Sequence, residues 1–419
     1  MTSLEPVAHA SPPQSTPSPD PGAAGEHGPS TGRLVGVDLT RAFAVFGMFA
    51  VHVGPFEAAR GDIGGWIRSL SEGRASALFA TLAGFSLMLI AGRFEPKTGL
   101  AGRQAKARIV IRAVILLVVG TALTMTDFGD AVILNAYAVY FLLALPLTRL
   151  RARTLAVIAA VLALVGPQVG FGLRAWLGEP VLNSINAYDP LERLCGVGVL
   201  DLLLTGFYPA ISWMSFVIAG MALGRLDLAA GAVQRRLAVL GPALIALGYG
   251  MSWLALKILG GGIPDRVPDG MPRKDAMADL AAGSAPPPAK WSLEADPWLL
   301  LAAEPHSGST FDVIGCLGVA ITVLLCATVA MAKLPRLRRL AGPVIAVGTM
   351  SLTIYVGHIL AILALPGKSA TPPDANSTVL LCAFVLGAVV FAALWSRFFR
   401  RGPLEDLLNS ATKPARLLR

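Results

Sequence analysis

The chain has 419 residues, of which 54% are hydrophobic and only 15% are charged. Its mean hydropathy of +0.64 and its many long apolar runs exclude an ordinary soluble protein and indicate a polytopic membrane protein. The net charge of +9 does not indicate nucleic-acid binding, because Lys and Arg cluster in the short connections between apolar runs. The four cysteines form no CxxC pair, so we expect neither a disulfide framework nor a metal site.

The apolar pattern predicts one large helical domain with a tail at each end. Residues 1–32 are rich in Pro, Ser, Ala and Gly, which is typical of a disordered tail. Residues 33–400 are predicted to be the transmembrane domain, with a long outer loop at 259–309, and 401–419 a cytoplasmic amphipathic tail. The predicted fold class is all-α, a bundle of about ten spanning helices at 34–53, 75–92, 108–125, 131–148, 154–172, 208–224, 237–258, 310–331, 343–364 and 376–396. A shorter apolar piece, 194–206, is expected to be interfacial, re-entrant or the start of the sixth helix.

The distribution of Lys and Arg predicts that both termini are cytoplasmic. The connections that would then be inner hold 4, 3, 3, 4 and 6 of these residues, at 93–107, 149–153, 225–236, 332–342 and 397–419. The short connections that would be outer hold 3, 0, 2 and 1, at 54–74, 126–130, 173–207 and 365–375. This asymmetry follows the positive-inside rule and predicts a multi-pass protein of the plasma membrane.

The first apolar stretch, Arg33–His52, carries ionisable groups although it is long enough to cross a bilayer. Five of its residues follow helical spacing and share one face: Asp38, Arg41, Val45, Met48 and His52. Ionisable groups in a spanning helix normally face the protein interior or a wet cavity. Asp38 and Arg41 form either a simple ion pair or, through Arg41, a site for the phosphates of a cytosolic donor. Arg74 either reaches the membrane surface or lines the same cavity.

Three histidines outside the N-terminal tail are candidates for chemistry: His52, His306 and His358. The predicted topology brings them to a similar depth from three separate segments. A neutral imidazole is the usual general base near physiological pH. We therefore expect at least one of them to act in catalysis, the alternative being that each only hydrogen-bonds a neighbouring helix.

Polar residues accompany two of these histidines. Glu304 precedes His306 and could orient it as a base, whereas Ser309 and Asp312 fit a helix-capping pattern. In the ninth segment a polar stripe is predicted on one helix face, formed by Gly348, Ser351, Tyr355 and His358. The stripe either lines a substrate cavity or makes interhelical hydrogen bonds.

Several stretches resemble a known group of membrane proteins. RLVGVDLTRAFAVFGMFAVHVG and GRASALFATLAGFS resemble the heparan-α-glucosaminide N-acetyltransferase-like proteins. YPAISWMSFVIAGMALGRL, GTMSLTIYVGHIL and RFFRRGPLEDLL resemble the YeiB-type bacterial membrane proteins of the same wider group. The resemblance implies transfer of an acetyl group from cytosolic acetyl-CoA, used as a co-substrate with no bound cofactor, to an acceptor across the membrane. The characterised acetyltransferase has an essential histidine in its first outer loop, and 54–74 here contains none.

These observations lead to one leading hypothesis and two alternatives. The first is an acyltransferase that transfers an acetyl group from acyl-CoA to an extracytoplasmic glycan or envelope component, with His306 or His52 as the base and Glu304 beside it. Asp38, Arg41, Arg74, Ser351, Tyr355 and His358 would bind the substrates. The alternatives are a transporter or flippase, in which the same groups line a path, and an assembly protein without turnover. The expected partners are the bilayer, acyl-CoA and the acceptor; homo-oligomerisation is left open.

Overall fold

A computed structural model describes residues 34–55, 63–126, 128–258, 300–365 and 377–418, and Val35–Arg419 forms one compact unit. Within these ranges the chain is helical and contains no strand. The helices in chain order are α1 (Val35–Val53), α2 (Ile63–Ser71), α3 (Arg74–Ala91), α4 (Gly99–Thr124), α5 (Leu134–Ala144), α6 (Ala152–Tyr188), α7 (Pro190–Cys195), α8 (Ala210–Gly224), α9 (Gly231–Ile258), α10 (Thr310–Lys333), α11 (Pro335–Leu340), α12 (Gly342–Thr349), α13 (Ser351–Leu363), α14 (Ser377–Phe398) and α15 (Pro403–Ala411).

The all-α, membrane-spanning fold predicted from the sequence is confirmed. Seven of the described helices are long and apolar enough to cross a membrane, or eight if the bent pair α12 and α13 counts as one span. α5 and α8 are shorter apolar helices of 11 and 15 residues, so the count of ten stays a prediction, as does the orientation of the termini. The predicted tail at 1–32 and residues 259–299 of the predicted outer loop lie outside the described residues.

The described spanning helices differ in how much of their surface the protein covers. The apolar windows of α1 and α3 are 67% and 72% buried, whereas that of α14 is 11% buried. Small residues allow the inner helices to approach closely: a methyl group at Gly220 of α8 would overlap the carbonyl oxygen of Thr81 in α3. Gly224, one turn later, likewise lies against Phe85 and Met88 of α3, so small residues form the contact between these helices.

The two ends of α1 lie in different surroundings. At the end that carries His52, Gly73 at the start of α3 lies against the backbone of Pro305 and His306. At the end that carries Asp38, the backbone of Asp38 is so close to Gly348 of α12 that a methyl group there would overlap its carbonyl oxygen. We call these the His52 end and the Asp38 end of the bundle.

The predicted helix at 343–364 is broken rather than continuous. α12 ends at Thr349, α13 begins at Ser351, and the two are bent by 85°. The carboxylate of Glu405 in α15 accepts hydrogen bonds from the backbone N–H groups of Leu352 and Thr353, at 2.7 and 3.2 Å, and from the Thr353 hydroxyl at 2.6 Å. Since the first N–H groups of a helix lack partners within it, this carboxylate stabilises a new helix start at the break.

Candidate functional site

The His52 end contains a pair of imidazoles contributed by distant parts of the chain. Nδ1 of His52 lies 2.9 Å from Nε2 of His358, and the two rings are nearly parallel, at 3°. One of these nitrogens donates the hydrogen and the other accepts it, so the contact couples the tautomers of the two rings. The predicted convergence of His52 and His358 is therefore present in the structure.

Aromatic side chains surround the pair and hold it in place. Phe49 and Tyr355 pack on His358, with ring centroids 4.9 and 5.2 Å away, and Phe128 packs edge-on against His52 at 5.2 Å. The hydroxyl of Tyr355 accepts a hydrogen bond from the backbone N–H of Ile133 at 3.3 Å. Tyr355 therefore positions His358 while its own hydroxyl is engaged elsewhere.

Arg68 anchors the end of the helix that carries His52. This buried residue of α2 donates hydrogen bonds to the carbonyl oxygens of Val51 and Gly54. The last carbonyl groups of a helix lack intrahelical partners, and a cation there is favourable for the helix dipole as well. The connection between α1 and α3 thus supplies an arginine beside His52 rather than a histidine.

His306 lies at the same end of the bundle but in a pocket of its own. Its ring is surrounded by Phe207, Tyr208 and Trp213, with centroid distances of 4.4, 5.7 and 6.1 Å. It lines a cavity of about 130 Å³ together with Glu304. Among the described residues it is the one non-glycine residue with positive φ, at 62°, a conformation that costs free energy and often marks functional sites.

The electrostatic environment of His306 weakens it as a base. Burial, and to a smaller extent the nearby His52, lowers the pKa of His306 to about 3. Its Nδ1 is buried and has no hydrogen-bond partner among the residues that the structure describes. A neutral imidazole with a free Nδ1 can accept a hydrogen bond from a donor group of a ligand.

At the Asp38 end, the side chain of Arg41 is held by two neighbours. Its Nη1 is 2.9 Å from Oδ1 of Asp38, and its Nη2 donates to Oγ of Ser86 at 2.8 Å. The ion pair that the spacing suggested is therefore formed. The guanidinium still has other donors, so its role towards a donor phosphate stays a prediction.

The contacts of Arg74 and the position of Ser351 do not involve the histidine pair. Nε of Arg74 donates to the hydroxyl of Tyr249 at 2.9 Å, and its guanidinium lies over that ring. Ser351 is the first residue of α13, at the break, so Gly348 lies in a different helix from the other members of the predicted polar stripe. The predicted capping by Ser309 is confirmed, since its hydroxyl accepts from the backbone N–H of Asp312 at 3.1 Å.

An apolar groove reaches His358 from the outside of the bundle. It has a volume of about 540 Å³ and runs between α13 and α14, with Phe49, Gly357 and His358 on its walls. Within the described residues no group of three or more His, Cys, Asp or Glu side chains could hold a metal ion. The site thus combines a hydrogen-bonded imidazole pair with access from an apolar side.

Sequence reasoning found the histidines but missed the residues that hold them. Arg68 gave no signal beyond its position in a connection, because it lies fifteen residues after the predicted end of the first helix. Glu405 caps α13, the helix that carries His358. It could have been considered as a capping residue because it is one of two adjacent acidic residues near the end of the chain. The stacking of aromatic rings around His306 could not have been foreseen, because Phe207 and Trp213 are about a hundred residues away in sequence.

Comparison with known protein families adds two matches, which cover separate parts of the chain. Residues 33–254 match the family described as "Heparan-alpha-glucosaminide N-acetyltransferase, catalytic", and residues 290–414 match "Protein of unknown function (DUF418)". A search of curated proteins found no match. His52 lies in the first matched region and His358 in the second. Because the first match covers more than half of the chain, the protein belongs to the heparan-alpha-glucosaminide N-acetyltransferase family of membrane acyltransferases.

Proposed function

We propose that this protein is an acyltransferase of the plasma membrane that moves an acetyl group from cytosolic acyl-CoA to an amine or hydroxyl of an extracytoplasmic glycan or envelope component. The observation that carries the proposal is the hydrogen-bonded pair of His52 and His358 in a chain of an acyltransferase family. His52 is the base, and His358 is a positioning residue. His306 and Glu304 bind the acceptor beside the pair.

The geometry of the pair supports this division of roles. If Nδ1 of His52 donates its hydrogen to Nε2 of His358, Nε2 of His52 keeps a lone pair that can accept a proton. The acceptor then loses its proton to this nitrogen while its oxygen or nitrogen forms a bond to the thioester carbon. The C–S bond breaks, and the proton passes from His52 to the departing thiolate, so the imidazole returns to its neutral form.

The proposal is tested by following a labelled acetyl group from acetyl-CoA into cell-envelope components. We expect His52→Ala to reduce transfer by roughly 10²–10⁴-fold, the usual contribution of a general base, with normal membrane expression. His306→Asn is the matched comparison, since asparagine tolerates positive φ better than alanine does; it should lower transfer mainly through a higher KM for the acceptor. If the wild type labels no envelope component, the acyltransferase proposal is wrong. If His52→Ala transfers at the wild-type rate, the base is another residue.

A transporter or flippase is a second candidate function, and one observation favours it. Broken helices such as α12 and α13 are typical of transporters, where they surround the substrate near the middle of the membrane. In transporters of that type the break recurs in a second, symmetry-related half. Uptake or flipping of a labelled lipid-linked sugar by vesicles that contain the protein, without acetyl transfer, would favour this function over the first.

A further inference from the structure

A second cavity lies at the Asp38 end of the bundle and is lined by positive charge. Its volume is about 220 Å³, and we call it the basic cavity. Five of its lining residues are basic: Lys97, Arg108, Arg112, Lys413 and Arg416. None of these side chains forms an ion pair with a carboxylate anywhere in the described ranges. Cations that converge on one cavity repel one another, so such a site is favourable only when an anion enters it.

The cavity is a built feature rather than a chance cluster of mobile surface side chains. Arg108 and Arg112 are four residues apart on α4 and therefore share one helix face. Gln104, one turn earlier on that face, donates hydrogen bonds to the backbone oxygens of Arg416 and Leu418, at 3.2 and 3.3 Å. These bonds hold the C-terminal turn against α4 and close the cavity on that side.

Arg112 contributes an unsatisfied hydrogen-bond donor to the basic cavity. Its Nε atom is buried and has no hydrogen-bond partner within the described part of the chain, although a buried donor without a partner costs free energy. The charges of Arg41, Arg108 and Arg401 all act on it. Lys97, in contrast, already donates to the carbonyl oxygen of Ile90 at 2.9 Å.

We propose that the basic cavity binds a phosphate group, held by Arg108 and Arg112 with Lys413 at the rim. Phosphate oxygens accept the paired N–H groups of guanidinium in a bidentate geometry, and one phosphate offers enough charge and acceptor oxygens for more than one arginine. Two sources carry this chemistry: a soluble ligand with a phosphate or diphosphate, and the headgroup of an anionic lipid. The phosphate site rests on the proposed function only if its soluble ligand is the acyl donor.

The test measures binding without turnover, using full-length protein in nanodiscs of phosphatidylcholine. Inorganic pyrophosphate is the soluble probe, followed by calorimetry; the lipid probe is a nanodisc in which part of the phosphatidylcholine is replaced by phosphatidylglycerol, followed by thermal stability. We expect one of the two to bind or stabilise the wild type. Each arginine lost should weaken pyrophosphate binding at least about tenfold, since hydrogen bonds between charged groups are of that strength. Higher salt should weaken it further.

The variants distinguish a specific site from general attraction. Arg108→Gln together with Arg112→Gln removes the two central charges, and Lys413→Gln removes an exposed one that should leave folding intact. Arg103→Gln is the matched control, because it lies on the same helix, is exposed and does not line the cavity. A soluble ligand is supported if the first two variants lose pyrophosphate binding while the control keeps it. A lipid headgroup is supported if the same pattern is found for stabilisation by phosphatidylglycerol and pyrophosphate does not bind. The proposal is overturned if neither probe acts on the wild type, or if the control loses as much binding as Lys413→Gln. Because no acetyl transfer is measured, a failure of phosphate binding leaves the acyltransferase proposal standing. A failure of acetyl transfer likewise leaves the phosphate site standing.

Discussion

The two ends of α1 differ in chemistry although one helix joins them. At the Asp38 end, Arg41 is paired with a carboxylate and lies beside the basic cavity. At the His52 end, two imidazoles are hydrogen-bonded to each other among aromatic rings. The cations at the Asp38 end can attract an anion, whereas Arg68 at the His52 end is engaged with the carbonyl oxygens of Val51 and Gly54. The basic side chains and the imidazole pair therefore lie at opposite ends of α1.

The separation also limits what kind of ligand could use both ends. Asp38 and His52 are 14 residues apart on α1, which corresponds to roughly 20 Å along the helix axis. A molecule that touches both ends must be extended and must be anionic at one end only. An acyl donor with its phosphates at one end and its thioester at the other meets this requirement.

The largest expected effect concerns the pair at the His52 end. His358→Phe keeps an aromatic ring against Phe49 but removes the nitrogen that contacts His52. We expect the turnover number to fall by roughly 100-fold, since a base displaced by about 1 Å can cost that much, while donor affinity stays constant. Acetyl-transfer kinetics at saturating donor provide the measurement.

His358→Gln is the control for that variant, because its amide can still contact Nδ1 of His52. It should recover part of the turnover lost in His358→Phe. If the two variants are equally slow and both bind the donor weakly, the role of His358 is structural. If both are as fast as the wild type, the pair does not take part in catalysis.

The elements that could be predicted are those whose signal is local. The predicted segments 34–53 and 208–224 agree with α1 and α8 to within two residues, because the apolar run itself indicates the extent of the helix. The break near Met350 could not be predicted, since its cap comes from Glu405, more than fifty residues later. His52 and His358 were expected at one depth, but only tertiary packing decides that they touch. The basic residues near the C-terminus were interpreted as orientation signals, and nothing local shows that Lys413 and Arg416 return to α4.

A smaller effect is expected where Glu405 caps the broken helix near the Asp38 end. Glu405→Ala leaves two backbone N–H groups without their acceptor and should lower the free energy of unfolding by about 2 kcal/mol. Glu405→Gln keeps one acceptor oxygen and should cost less. The measurement is thermal unfolding of the purified variants at constant detergent and salt.

Asp406→Ala is the matched control, because it removes a neighbouring exposed carboxylate from the same helix. It should leave the unfolding temperature nearly unchanged. Equal destabilisation by the two alanine variants would mean that the acidic residues matter through the dipole of α15 and not through the cap on α13.

Arg41→Lys tests whether charge alone suffices at the Asp38 end. A lysine can pair with Asp38 or reach Ser86, but its single ammonium cannot reproduce the fork that contacts both. We expect a loss of about 1 kcal/mol in stability and weaker donor binding. Asp38→Asn should affect stability more than donor affinity. Unchanged donor affinity in both Arg41→Lys and Arg41→Ala would assign the residue to the ion pair alone.

The smallest expected effect is on the pH dependence of stability and belongs to the His52 end. The pKa of His306 is about 3 in the folded protein and near 6.5 in an unfolded chain. Between these values the unfolded state binds more protons, so stability is lost as the pH falls below about 6.5. From pH 7 to pH 6 the loss from this one group is less than about 1 kcal/mol.

His306→Asn removes the titrating ring and tolerates positive φ, so its unfolding temperature should depend less on pH over this range than that of the wild type. The measurement is thermal unfolding at pH 5, 6 and 7. Identical pH profiles for the two proteins would show that His306 titrates alike in the folded and unfolded chains, and its ring would then have to be accessible to water and free to act as a base.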